Sequence, residues 1–302
     1  MTALYDVPAP AKLNLFLHII GRRADGYHLL QSVFELIDWV DVLHFERRDD
    51  GHLARHDLGT TLPEDDLCLR AARALQLESA TALGADISID KRVPWGAGMG
   101  GGSSDAASTL LALNRLWGLH WPRERLAALG LRLGADVPFF IGGHPAFVEG
   151  IGEKLTPVVL PPSRYAVVKP AAALSTREIF GHPQLVRSTD PVILAGSPEE
   201  AGRSDLPPDG LKEFVRRAVH GYGRNDLQPP AEDRCPEVAQ ATRWLEARYG
   251  NSRMTGSGSA VFARDDTVET PLAAFPAKEL PPGWVGRQCR SLSEHPLAGW
   301  AS

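Results

Sequence analysis

The residues best suited to chemistry lie in the run Pro94-Trp95-Gly96-Ala97-Gly98-Met99-Gly100-Gly101-Gly102-Ser103-Ser104. Five of the seven positions from Gly96 to Gly102 are glycine. This composition lets the backbone take positive φ and lets a ligand come close to the main chain, at an entropic cost on folding. Placed before a helix, the loop offers free N–H groups and the positive end of a dipole, which is the chemistry of phosphate binding. A flexible linker is the competing reading, but linkers are seldom squeezed between a strand pattern and a long apolar helix. The loop lacks the Gly-Lys-Ser/Thr ending of a Walker A motif. Gly96, Gly98 and Gly101 satisfy G-x-G-x-x-G, yet the following helix leads to Gly118-Leu119-His120-Trp121-Pro122 and another helical pattern. A dinucleotide fold needs a second strand ending in a ribose-binding acid at that point. A G-x-S-x-G nucleophile elbow is also absent.

Three further groups stand out. Lys12 and Asn14 alternate with leucines near the start of a strand, either as a solvated edge, the commoner case, or as the wall of a site. Asp136, in Gly134-Ala135-Asp136-Val137-Pro138-Phe139, is a carboxylate among apolar and turn residues, so it is either exposed in a turn or paired with a cation. Tyr27 and His28 close the polar turn Gly21 to His28, where rings either stack on a base or cover the core. His52 and His56 have i,i+4 spacing, but no third ligand completes a metal site.

The elements that must position these groups follow from periodicity. Ala11 to Ile19 alternates, with Leu13, Leu15, Leu17 and Ile19 on one face and Lys12, Asn14, Phe16 and His18 on the other. Ser32 to Ile37 and Asp41 to Glu46 read as separate strands, and Arg47 to Gly59 as a polar connection. Asp66 closes an acidic run, Pro63 to Asp66, that starts an amphipathic helix with acids in its first turn. Ile87, Ile89 and Val93 mark a strand leading into the glycine loop. Ala106, Leu110, Leu113 and Trp117 mark the helix after it, with Ser103 or Ser104 as N-cap. A helix with Pro122 in its first turn carries Leu126, Leu129 and Leu133 and ends at Gly134. Gly142-Gly143 and Gly150-Ile151-Gly152 punctuate a hairpin, and Pro161-Pro162-Ser163 marks a boundary between residues 1–162 and 163–302. Beyond it, Tyr165 to Val168 reads as a strand, Pro191 to Asp209 as a surface excursion and Glu237 to Tyr249 as a helix. Ser252 to Phe262 reads as strand, glycine turn, strand, the turn being either an ordinary hairpin or a neighbour of the first loop across a cleft.

At 302 residues the chain is long enough for two domains. A net charge of −5 argues against a nucleic-acid partner, whose phosphates call for a basic face. No stretch is long enough to span a bilayer and no leader is evident, so the expected location is cytoplasmic. Cys68, Cys235 and Cys289 have no C-x-x-C spacing and are expected to be reduced and packed.

Pro8-Ala9-Pro10-Ala11-Lys12-Leu13-Asn14-Leu15, the glycine-serine loop and Thr255-Gly256-Ser257-Gly258, in this order, resemble the GHMP kinase superfamily of small-molecule kinases. Arg23-Ala24-Asp25-Gly26-Tyr27-His28, the lengthened Gly100-Gly101-Gly102-Ser103-Ser104 and the Asp136 segment are similar to the branch of non-mevalonate isoprenoid synthesis whose acceptor is a cytidine diphosphate-linked methylerythritol. The resemblance implies an α+β, two-domain fold, an N-terminal ribosomal protein S5 domain 2-like domain and a C-terminal ferredoxin-like domain with a cleft between them.

It further implies transfer of the γ-phosphoryl group of ATP to the erythritol 2-hydroxyl. Asp136 then takes the hydroxyl proton and Lys12 steadies the moving phosphoryl group. Residues Pro94 to Ser104 bind ATP, Gly98 to Ser104 wrapping its phosphates, and Lys91 matches a residue near the adenine. Asp66 also falls beside the adenine, where the family commonly has asparagine, so that contact loses amide donors. Tyr27 and Phe180 stack on the cytosine and His28 hydrogen-bonds its edge; Asn14, Thr176 and the turn Gly256, Ser257 and Gly258 lie by the acceptor. Mg2+ is implied as the nucleotide's counterion, with no protein ligand assigned, and a monomer or weak homodimer is expected. A homoserine or mevalonate kinase is disfavoured by Tyr27-His28 and the long glycine run. A phosphate-binding protein without catalysis is disfavoured by Lys12 with Asp136, and a nicotinamide oxidoreductase rests on G-x-G-x-x-G alone.

Overall fold

The computed structural model describes residues 1–191, 217–266 and 275–301. The surface excursion expected from Pro191 to Asp209 therefore lies, beyond Pro191, outside the described residues. Two long antiparallel strands, β1 (Ala3–Arg22) and β2 (His28–Arg48), form the spine of the molecule. The other edge of β2 is shared out along its length. Ser32 to Phe34 pair with β5 (Ala146–Glu149), Leu36 and Ile37 with β10 (Val285–Leu292), and Val42 to Arg48 with β4 (Gly84–Asp90). β3 (Leu53–Asp57) adds parallel to β4, and β6 (Lys154–Pro157) completes the expected hairpin with β5.

Because β10 also pairs with β7 (Arg164–Lys169), the sheet runs on without a break through β7 and β9 (Val261–Arg264) to β8 (Arg253–Met254). Among the described residues the helices include α1 (Leu67–Ser79), α2 (Gly101–Leu116), α3 (Arg123–Leu131), α4 (Val137–Gly142), α5 (Thr176–Phe180), α6 (Gln228–Arg234) and α7 (Pro236–Tyr249).

Several expectations are corrected. The region from Ser32 to Glu46 is one strand, because the acids that suggested a break are partnered: Asp38 accepts the Arg290 N–H and Asp41 the Arg92 and Val93 N–H groups. The polar run from Arg47 to Gly59 holds β3, in which the guanidinium of Arg55 pairs with Asp57 and Asp66. The acids before α1 precede its first turn, with Asp66 as the N-cap. Helix α2 is capped by Gly100 in a left-handed conformation, so Ser103 and Ser104 fall inside its first turn. Pro122 is itself the N-cap residue of α3, which ends at Leu131 rather than at Gly134.

The most consequential correction concerns β1. Its pairing with β2 shifts register between Pro10 and Ala11 and again between Asn14 and Leu17. A bulge inserts a residue and turns the side chains beyond it to the opposite face. Ala9, Leu17 and Ile19 accordingly pack in the helix-covered core, while Ala11, Leu13 and Leu15 pack in a second core beneath β7 and β9. Lys12 and Asn14 thus face the helices, and both are buried, at 3% and 1% exposure. The solvated edge is not what this strand presents.

Glu35 on β2 is buried in the second core, where the Tyr165 hydroxyl donates to it at 2.5 Å. Burial pushes its carboxyl up to about 7, against the lowering effects of hydrogen bonds from Tyr165 and Ser291 and of the Arg264 charge. In the unfolded chain it titrates near 4.3. The native state therefore binds more protons than the unfolded state between these values, so stability is fully present below the window and falls as pH rises through it. Relative to Glu35→Gln, the native chain is expected to lose on the order of 2–3 kcal/mol of unfolding free energy between acid and neutral pH. Urea unfolding of both proteins across that range, giving parallel pH curves, would exclude this role.

Candidate active site

The glycine loop runs between β4 and α2, held from both sides. Lys12 of β1 donates its N–H to the Met99 carbonyl at 3.0 Å, and Ser259 and Ala260 donate theirs to Gly96 and Ala97, each at 3.1 Å. The β8–β9 turn therefore does abut the first loop. Gly98 permits this approach, since a Cβ there would lie 2.3 Å from the Thr255 carbonyl oxygen at a φ of +72°. Gly100 is required for a second reason: its φ is +71°, and a Cβ would meet the Phe140 ring at 2.9 Å. The turn is itself pinned, because the Asn225 amide donates to the carbonyls of Met254 and Gly256.

The loop walls a cavity of about 400 Å³ lined throughout from Pro94 to Ser103, with Lys12, Asn14, Lys91, Asp136, Thr176, Phe180 and Gly256 to Gly258 completing it. Asp136 sits at the N-terminal end of α4 with no side-chain capping bond, leaving its carboxylate free for other work. Its Oδ2 lies 3.5 Å from Lys12 Nζ. Lys12 Nζ also donates to Asn14 Oδ1 at 2.5 Å and stands 4.3 Å above the Phe34 ring. Asn14 is held in turn by its donation to Ser32 Oγ and by Thr255, whose hydroxyl accepts the Asn14 N–H at 2.9 Å. Burial draws the Lys12 amine below its ordinary range, and the Asp136 charge opposes that shift. A cation and a carboxylate distant in sequence thus meet beside the backbone donors of the loop.

A second cavity, of about 610 Å³, adjoins the first and shares Leu30, Ile151, Thr176 and Phe180 with it. Tyr27 and His28 line it; Tyr27 is 60% exposed, and the His28 ring stands 5.2 Å from that of Phe180. Thr176 Oγ1 and Ser257 Oγ are 2.8 Å apart across the join.

Some expected residues are placed apart from the cavity or otherwise engaged. Asp66 does not line it: the carboxylate caps α1 through the Leu69 N–H at 3.1 Å and pairs with Arg55 at 2.9 Å. Its neighbour Leu67 is the lining residue. Ser104 is fully buried off the cavity, while Ser103 reaches it. The Lys91 ammonium is bonded to Asp41 and Asp105, and their two charges hold it above the ordinary lysine range. Burial raises the Asp105 carboxyl well above the carboxylate range. Sequence reasoning missed Asp41, Asp105 and Asn225. Only Asp105 carries a signal, as a lone acid in the apolar stretch of α2, where an unpaired buried charge would be costly.

This arrangement, a glycine loop at a helix N-terminus with an adjacent acid and ammonium group on an α+β scaffold, is the pattern of small-molecule kinases without a Walker A loop. Residues 66–144 match the family described as "GHMP kinases N terminal domain" and residues 211–270 that described as "GHMP kinases C terminal". The chain is 65% identical over its whole length to a 4-diphosphocytidyl-2-C-methyl-D-erythritol kinase of Methylibium petroleiphilum, covering 99% of that protein. It is 57% identical to the protein of the same name in Variovorax paradoxus, with full coverage of both. A crystal structure titled 4-(cytidine 5'-diphospho)-2C-methyl-D-erythritol kinase superposes with a TM-score of 0.71 at 31% identity, covering 95% of this chain and 98% of that one. Homoserine kinase from Cytophaga hutchinsonii, at 16% identity and a TM-score of 0.65, covers 97% of this chain and 95% of its own and shares the fold. The chain belongs to the GHMP kinases and, within them, to the 4-diphosphocytidyl-2-C-methyl-D-erythritol kinase family. It is an ATP-dependent small-molecule kinase with the two-domain GHMP fold.

Proposed function

We propose that the chain transfers the γ-phosphoryl group of ATP to the 2-hydroxyl of 4-diphosphocytidyl-2-C-methyl-D-erythritol, with Asp136 as base and Lys12 as the cation beside the transferred group. The observation that supports this is the Lys12–Asp136 pair, 3.5 Å apart in the cavity walled by the glycine loop. The loop's N–H groups and the α2 dipole hold the phosphates. Asp136 takes the hydroxyl proton as the oxygen–phosphorus bond forms and the bond to the bridging oxygen breaks, its electron pair leaving with ADP. Lys12 offsets the charge that spreads over the phosphoryl oxygens. The adjoining cavity takes the cytidine, with Tyr27 and Phe180 as stacking rings and His28 at the base edge.

Among the described residues no group of three His, Cys, Asp or Glu is arranged for a metal. Ser103 lines the cavity at the end of the loop, which suits Mg2+ entering on the nucleotide with most ligands from phosphate and water. When bound, the ion neutralises phosphate charge; Asp136 and the Ser103 hydroxyl are the protein groups that would meet it. The same reading makes the chain a cytoplasmic monomer or weak homodimer without nucleic-acid or membrane partners, divided at residues 162 and 163. No helix among the described residues is long and apolar enough to cross a membrane.

ADP release measured across candidate alcohols tests the assignment. Turnover is expected with the cytidine-bearing acceptor and not with homoserine or mevalonate, and the reverse pattern would sink it. Losing one stacked ring costs roughly 1–3 kcal/mol, so Tyr27→Ala should raise the acceptor KM by about one to two orders of magnitude. A change confined to the KM for ATP would misplace the cytosine.

A further inference from the structure

Arg187 lines neither cavity, yet its guanidinium joins the two walls of the second one. Its Nε–H donates to His28 Nε2 at 3.2 Å. Its Nη1 donates to the Leu185 carbonyl at 3.2 Å, and its Nη2 to those of His182 at 2.9 Å and Phe180 at 3.4 Å. One planar group thus gathers the segment that carries the Phe180 ring and ties it to the imidazole facing that ring.

The contact with His28 also has a chemical consequence. A guanidinium has only donors, so the nitrogen it addresses must be the bare one, and in a neutral imidazole the proton then sits on Nδ1. We propose that Arg187 is a specificity-determining positioning residue for the acceptor: it fixes His28 as the Nδ1–H tautomer and holds the Phe180 segment against it. Burial, then the Arg187 and Arg22 charges, lower the His28 pKa and so favour the same neutral ring.

Locked in this way, the imidazole offers a donor and no free acceptor. Cytosine and uracil share the O2 acceptor but differ at N3, an acceptor in cytosine and an N–H donor in uracil, so an Nδ1–H aimed at N3 suits cytosine and would meet uracil donor to donor. Leaving a donor without a partner in a closed site is costly, and enzymes discriminate between such substrates by this means. Arg187 therefore acts on substrate choice through His28, without touching the substrate itself.

The inference rests on the acceptor reading of this cavity, and the experiment separates the two. Heteronuclear NMR of the imidazole nitrogens in the free enzyme should show His28 with a bare Nε2, and a mixed or inverted tautomer in Arg187→Ala. In steady-state assays Arg187→Ala should raise the acceptor KM about tenfold, the scale of a lost charge-assisted hydrogen bond, with kcat and the KM for ATP within about twofold. The ratio of kcat/KM for the cytidine acceptor to that for its uridine analogue should fall about tenfold or more. Arg187→Lys, which keeps one donor for Nε2, should retain the tautomer and recover part of the ratio. A protonated Nε2 in the native enzyme, or an unchanged ratio in Arg187→Ala, overturns the proposal. Native enzyme that ignores the cytidine acceptor would instead overturn the assignment of substrate, while the tautomer measurement still decides what Arg187 does to His28.

Discussion

Asp136→Asn is expected to lower kcat by about three orders of magnitude, with the KM values for both substrates moving only a few-fold. Asparagine keeps the shape of the side chain at the head of α4 but removes its charge and its ability to accept a full proton. The acceptor hydroxyl must then give up its proton to water or to the phosphoryl group itself. The carboxylate also balances the Lys12 amine, which burial already draws below its usual range. Without Asp136 that amine titrates lower still, so residual activity should decline as pH rises through a range where the native enzyme is unaffected. Rapid-quench measurement of the chemical step would settle the matter. Activity within tenfold of native would leave Asp136 as an orienting group and remove it as the base.

Lys12→Met should cost about two to three orders of magnitude in kcat/KM, the scale found when one group aimed at developing charge is removed. Methionine roughly preserves the volume that Lys12 fills over the Phe34 ring, so the loss reports charge rather than packing. An arginine is not expected to rescue it. The lysine stem runs so close to Gly100 that a Cβ there would lie 3.3 Å from Cε, which leaves no room for a broader fork. In the proposed mechanism Lys12 and Asp136 act on one event, so the double variant should fall well short of the product of the single losses. Multiplying effects would mean that the two groups work independently, and circular dichroism would check that each variant is folded.

How much of this was legible in the sequence differs from residue to residue. The glycine loop was legible as a loop between a strand and an apolar helix, and the structure places it there, walling the first cavity. The β8–β9 turn was legible as a turn, and its contact with the loop stood as one of two options that the Gly98–Thr255 approach decides. Lys12 was misread by periodicity, since strict alternation carries no sign of the bulges at Pro10/Ala11 and Asn14/Leu17 that turn it toward the helices. Only similarity to a family pointed to its role. The length of β2 was hidden because Asp38 and Asp41 look like turn residues until the backbone N–H groups they accept are known. Arg187 had no signal at all: its partner His28 is 159 residues away, and nothing local marks an arginine as a bridge between two walls.

The Gly98 carbonyl and the Thr255 hydroxyl that face each other across the cleft are 157 residues apart in sequence, and β10, still later in the chain, ties both halves of the sheet together. A ribosome that has delivered the glycine loop has therefore not yet made the turn against which that loop packs. Nascent polypeptide ending before the β8–β9 turn lacks the Ser259 and Ala260 N–H groups that hold the Gly96 and Ala97 carbonyls of the loop. The supports of the loop are therefore complete only once β9 has been made.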